Sequence, residues 1–181
     1  MDAGDSSGAA VLEPTIPHTP YPKSLQQDVM RVLEQVMDPE IPTLSVVDLG
    51  MITKATASEG YAYVRLLPTF VACPATSYIR KSIEEALMNA GFEFVEVQME
   101  DKISWTSDRV SERGRKLLEE FGLGAPMQID GVLNFETIEQ ANCPHCGSSN
   151  TELRSMFGST LCRSIHYCRD CKQGFERFKP V

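Results

Sequence analysis

Two Cys-x-x-Cys pairs constrain this 181-residue chain more than anything else in it. They read CPHCG from Cys143 to Gly147 and CRDC from Cys168 to Cys171, with twenty-one residues between Cys146 and Cys168. Each pair turns two thiolates toward one point, and two pairs complete a closed tetrahedral shell of the kind that holds structural zinc, with Zn–S bonds of about 2.3 Å. Gly147 eases the backbone turn behind the first pair. The intervening TELRSMFGSTLCRSIHY reads as two strands around Gly158, so residues 143–181 are expected to form a zinc ribbon. A segment of about forty residues seldom buries enough apolar surface to fold unaided, and metal binding supplies the deficit. A redox role is the weaker alternative, because redox Cys-x-x-Cys pairs usually occur singly beside a βαβ pattern. His145 and His166 flank the cysteines, but four sulfurs already fill the tetrahedron, so neither is assigned as a ligand. The extra thiol in the ribbon, Cys162, either packs as a small hydrophobe on a strand or joins a second metal site.

Charge divides the chain near residue 141. From Cys143 onward six Lys and Arg face three Asp and Glu, whereas the preceding part has eleven against twenty-two. The overall net charge of -8 argues against nucleic acid or an anionic membrane as partner, since both require neutralising cations. The first residues, MDAGDSSGAAVLEP, lack a basic region and an apolar core of signal-peptide length, and no window approaches the roughly 18 apolar residues of a membrane span. A cytoplasmic chain, with reduced thiols, is the expectation. Residues 1–22, with Pro14, Pro17, Pro20 and Pro22 among small polar residues, read as a disordered tail.

Residues 23–124 read as an α+β unit. SLQQDVMRVLEQVM places Leu25, Val29, Val32, Leu33 and Val36 at helical spacing, with Ser24 and Gln27 as a capping box and a stop at Asp38-Pro39. SVVDLGMITKAT and YAYVRLL read as strands joined through Glu59-Gly60. Ile79, Ile83, Ala86, Leu87 and Ala90 then mark an amphipathic helix closed by Gly91, and FEFVEVQM alternates as a third strand. Thr106, Ser107 or Asp108 caps a last helix through Val110, Leu117, Leu118 and Phe121. The order predicts a small mixed sheet with helices on one face, followed by a connector over 125–142 and then the ribbon. Trp105 and Tyr78 are expected to be core or interface anchors.

One thiol lies outside the ribbon. Cys73 stands before Pro74 where an apolar run gives way to a helix, and the unpaired N–H groups of a helix start favour a negative charge there. Proline fits the first turn because it has no N–H to lose. A hydrolytic cysteine would need a base, and His18, His145 and His166 lie in the tail or the ribbon, so no catalytic residue is assigned. Burial without chemistry is the plain alternative for Cys73.

DPEIPTLSVVDLGMI and PTFVACPAT together resemble the small α/β domain of the iron–sulfur assembly family. With CPHCGSSNTELRSMFGSTLCRSIHYCRDC appended, the chain resembles the PaaD-type family of the phenylacetyl-CoA oxygenase, or epoxidase, system. The resemblance implies an accessory protein for metal or iron–sulfur loading of that oxygenase, with the components of the complex as partners. It also implies that Cys73 is the residue of iron–sulfur work. Since a cluster commonly takes four cysteine ligands, Cys73 would share it with Cys162 or with a second copy in a homodimer. Asp38 and Glu40 are candidate oxygen ligands, though Asp-Pro is also ordinary helix-stop chemistry. Asp48 and Thr69 are candidate braces of the neighbouring loops. Two departures from the family pattern stand out: Val71-Ala72 where a Ser-Gly pair is expected, and Pro180-Val181 where a cysteine often follows. Two further functions compete, a structural subunit that never handles metal and, least favoured, a nucleic-acid-binding ribbon.

Overall fold

The computed structural model describes residues 23–70, 73–129 and 135–180. The expected tail, the side chains of Ser24 and Gln27, and the Val71-Ala72 pair lie outside them.

Helix α1 spans Lys23–Leu33 and presents the fully buried Val29 and Leu33 to the core. It ends well before Asp38, contrary to the sequence expectation. Its last turn tightens into Gln35 N–H to Val32 and Val36 N–H to Leu33 bonds, and Met37 then bridges to Ser45. That pairing closes residues 38–44 into a loop, so the chain leaves the helix early. The strand expected to start at Ser45 is instead a set of turns as far as Gly50, with β1 beginning at Ile52 (Ile52–Ser58). Two local causes are visible. Ser45 and Asp48 bond to each other across the turn, and Gly50 adopts φ +65 where a Cβ would sit 2.3 Å from the Arg109 carbonyl oxygen.

Strand β2 (Tyr61–Leu66) pairs antiparallel with β1 and parallel with β3 (Phe94–Met99), the parallel return being made through α2 (Ala75–Asn89). Ala62, Val64 and Leu66 of β2 point into the core with Ile79, Ile83 and Leu87 of α2. Alternate residues form a polar ladder on the other face, where Tyr63 donates to Gln98 at 2.9 Å and Arg65 faces Glu100. Because α1 packs on β1, α2 on β3, and the helices on each other, this is the expected mixed layer. Of the two expected core or interface anchors, Trp105 is buried and donates from Nε1 to the Leu49 carbonyl at 2.8 Å, whereas Tyr78 is 60% exposed, which leaves it only the interface alternative.

The last helix also starts later than the sequence suggests. Ser107–Arg109 form a 3₁₀ turn, Val110 is extended and buried, and α3 (Glu112–Glu120) is capped by Ser111, whose Oγ accepts from Gly114 N–H at 2.9 Å. After Gly122, at φ +88, β4 (Leu123–Gly124) leaves the first unit and pairs parallel with the final strand of the second. The short α4 (Phe135–Glu139) lies within the expected connector. The second sheet runs β4-β7-β6-β5, with β5 Thr151–Ser155, β6 Arg163–Cys168 and β7 Gly174–Phe178. Its last strand, Gly174–Phe178, is absent from the sequence reading. Phe178 is buried in the first unit's core, edge-on to Trp105 at 5.7 Å. The two units therefore share a wall.

Candidate functional site

The two cysteine pairs fold as the same turn. Gly147 N–H donates to the Cys143 carbonyl at 2.8 Å, and Lys172 N–H to the Cys168 carbonyl at 3.0 Å. The residue after each pair is left-handed, Gly147 at φ 75 and Lys172 at φ 63. Asp170 ties the turns together by accepting from Ser148 Oγ and Asn150 Nδ2. As a result the four sulfurs of Cys143, Cys146, Cys168 and Cys171 lie within 4.8 Å of one another, with Cys143–Cys171 and Cys146–Cys168 each at 3.6 Å. A tetrahedron with Zn–S bonds of about 2.3 Å has edges of about 3.8 Å, so the donor set fits one such ion. Backbone N–H groups of Cys171 and Asp170 bring the Cys168 thiol down to about 7, and burial and the adjoining sulfurs push Cys171 up to about 12. A dication would settle that competition by deprotonating all four. His166 does not join them. It is fully buried, stacked on Phe175, and its Nε2 meets Ser164 Oγ at 3.0 Å; burial and Arg177 hold it down to about 4.

The other two cysteines line one cavity at the seam between the units. Cys73 precedes Pro74, the N-cap of α2, and its carbonyl accepts from Thr76 N–H at 3.2 Å. Cys162 sits in the turn before β6 rather than on a strand; its Sγ is 3.0 Å from Thr160 Oγ1, and burial pushes its thiol up. Both line one cavity of about 290 Å³, with Glu40 and Phe70 from the first unit and Phe157 and Leu161 from the second.

The remaining candidates separate clearly. Glu40 lines this cavity. Asp38 stands behind it, accepting from Glu40 N–H at 2.8 Å and Ile41 N–H at 3.0 Å, with its carboxyl pushed up by burial despite those bonds. Asp48 is elsewhere, bidentate with Arg113 at 2.6 and 3.0 Å and accepting from Ser45 and Ser111 at 2.7 Å each. Burial works against its ionised form, but those bonds outweigh it and lower the carboxyl. Thr69 lines a neighbouring cavity of about 510 Å³ beside Trp105. Sequence reasoning passed over Phe157, Arg163 and Lys179. Arg163 joins the units by donating to the Glu40 carbonyl at 3.1 Å and to Glu176 at 3.0 Å. No periodicity or spacing announces such contacts.

Comparison with known proteins places this geometry. Residues 26–99 match the iron–sulfur cluster assembly protein family, and residues 130–179 match the PaaD zinc beta ribbon domain. An Escherichia coli K12 protein, provisionally named as one of the subunits of 1,2-phenylacetyl-CoA epoxidase, is 35% identical over 155 residues, covering 85% of this chain and 92% of that one. An Fe-S protein maturation auxiliary factor of Porphyromonas gingivalis W83 is 30% identical over 89 residues, 48% of this chain and 84% of that one. The crystal structure of a DUF59 domain from Bacillus anthracis is similar at 25% identity and a TM-score of 0.49, covering 53% of this chain and 92% of that one. Fold and cysteine group together define an iron–sulfur assembly-type domain carrying a metal-binding ribbon, the class of an accessory protein. Within that class the chain belongs to the PaaD-type family, in which a zinc ribbon follows an iron–sulfur assembly domain. Among the described residues no helix is long and apolar enough to cross a membrane.

Proposed function

We propose that this protein loads iron or an iron–sulfur cluster into the phenylacetyl-CoA epoxidase system, with Cys73 and Cys162 as the cargo thiols and with zinc held by Cys143, Cys146, Cys168 and Cys171 as a structural staple. The observation that carries the reading is the shared cavity: a thiol from the assembly-type domain and a thiol from the ribbon line the same space. Thiolates suit iron–sulfur cargo, and two of them are too few to enclose a cluster that commonly takes four. Coordination positions are thereby left for a client protein, which can take the cargo by ligand exchange. Glu40 offers an oxygen on the same lining. The chain would work in the cytoplasm, where thiols stay reduced. A second copy supplying the missing ligands is the homodimer form of the same idea.

The test is iron per epoxidase complex in cells, measured with turnover of the aromatic CoA thioester, for wild type, Cys73→Ser and Cys162→Ser. Both variants should keep the fold and the zinc yet leave the complex poor in iron, and holo-complex assembled beforehand should not need the protein. Full loading with full activity in both variants would sink the thiol reading. Full loading with lost activity would point instead to a structural subunit acting during turnover.

A further inference from the structure

Beside the thiol cavity lies a buried ammonium with no carboxylate to pair with. Lys179, one residue beyond β7, is only 9% exposed. Its Nζ donates to the Met156 carbonyl at 3.3 Å and stands over the rings of Phe70 and Phe157, 5.3 and 5.5 Å from their centroids. Both rings line the cavity that holds Cys73 and Cys162. Lys179 N–H also donates to the Cys162 carbonyl at 2.9 Å, which fixes the lysine to the turn that carries the second thiol. Among the described residues no Asp or Glu forms an ion pair with it. The other cation at this seam, Arg163, is already committed to Glu176, Ser159 and the Glu40 carbonyl. A buried charge is costly unless it is paired, and the two ring faces offset only part of that cost. Burial pushes the lysine's pKa down, and the Cys162 thiol, when ionised, works the other way by favouring the charged lysine.

We propose that Lys179 is the specificity-determining cation of this cavity, making it a receptor for anionic cargo, such as an iron–sulfur cluster with thiolates on its irons, rather than for a bare dication. The inference rests on the reading that the two thiols hold the cargo. Glu40 on the lining and Asp38 behind it attract a bare dication, and Lys179 repels one. Sulfide offsets the charge of the iron, and the four thiolates that commonly surround a cluster make the whole anionic, which turns that repulsion into attraction. Phe70 and Phe157 exclude water from one side of the ammonium, which preserves its field.

The test compares two alkylating probes on the zinc-loaded full chain, iodoacetate, an anion, and iodoacetamide, which is neutral. Each forms one S–C bond at a thiolate and releases iodide, so the ratio of their rates at Cys73 and Cys162, mapped by mass spectrometry, cancels thiolate abundance and reads local charge. Lys179→Met should lower the iodoacetate-to-iodoacetamide ratio roughly fivefold, as expected for losing one nearby charge in partly wet surroundings. Lys179→Arg should keep the ratio. In the unaltered protein the ratio should fall as salt rises. An unchanged ratio in Lys179→Met with zinc retained, or a ratio insensitive to salt in the unaltered protein, would overturn the proposal. No iron enters this measurement, so it can fail while the cargo reading stands; failure of the iron-loading test would instead remove the cargo and with it this inference, leaving only a local preference for anions at the thiols.

Discussion

Among the described residues, twenty-three buried apolar side chains converge on the core of the α/β layer, whereas the far end of the ribbon gathers four residues: Ala141, Cys143, Cys168 and Phe175. Two of those four are metal-binding cysteines. The layer is thus held by burial, with each large side chain contributing about 1.5–3 kcal/mol, and the ribbon tip is held by whatever joins its sulfurs. The ribbon's near end belongs to the other regime, because Phe178 lies in the layer's core and Cys162 packs against it. The contrast teaches where the thiol cavity gets its shape. Its Cys73 side is built by burial alone, and its Cys162 side depends on the metal as well.

Metal removal should break that comparison most violently, since a structural zinc site is worth about 10–16 kcal/mol to a small domain. A chelator, Cys143→Ser or Cys171→Ser should release zinc and strip hydrogen-exchange protection from β5 to β7, while β1 to β3 and α2 stay protected. Trp105, the single tryptophan, reports the shared wall: as Phe178 withdraws from it, its emission should shift to the red. Ribbon amides that stay protected without metal would show that burial suffices there too.

The opposite lesion sharpens the contrast. Ile83→Ala removes a fully buried side chain of α2 and should cost the layer about 2–5 kcal/mol in thermal or denaturant unfolding, yet metal analysis at low temperature should still find zinc bound. Loss of zinc at temperatures where the layer remains folded would mean that the two regimes are not separable.

Asp48→Asn should cost less, about 1–2 kcal/mol, because Arg113 is 61% exposed and can return to water. The pH dependence has a definite sign. A carboxyl lowered by folding contributes stability above its unfolded value near 3.8, and that contribution disappears as pH falls through the lower folded value. The stability gap between wild type and Asp48→Asn should therefore be constant near neutrality and close in acid, which chemical unfolding at several pH values would reveal. The smallest structural effect is expected of Cys73→Ser, within about 0.5 kcal/mol and with zinc unchanged. A large destabilisation would assign Cys73 to packing instead of cargo.

Much of this fold was readable from residue order alone. The i, i+4, i+7, i+8 rhythm of Ile79, Ile83, Ala86 and Leu87 marked α2, and the Glu59-Gly60 turn marked the β1–β2 hairpin. Two of the misread segments trace to local side-chain bonding that overrides apolar patterning. SVVDLG looks like a strand by composition, yet Ser45 and Asp48 bond to each other and fold it into turns. At the last helix, Ser111 won the cap over Thr106, Ser107 and Asp108 because a 3₁₀ turn intervened.

The cysteine spacing by itself determined that the C-terminal segment gathers four sulfurs at one point, because the geometry of such a turn is local and tolerates few alternatives. Residue pattern likewise determined an α/β layer, since periodicity follows from the backbone geometry of helix and strand. Whether Cys73 and Cys162 would line the same cavity was a matter of tertiary structure alone. Their approach depends on β4 crossing to pair with β7, on Phe178 entering the layer's core and on Arg163 reaching the Glu40 carbonyl. The position of Lys179 between Phe70 and Phe157 was decided the same way, by contacts between residues far apart in the chain, which periodicity and spacing do not encode.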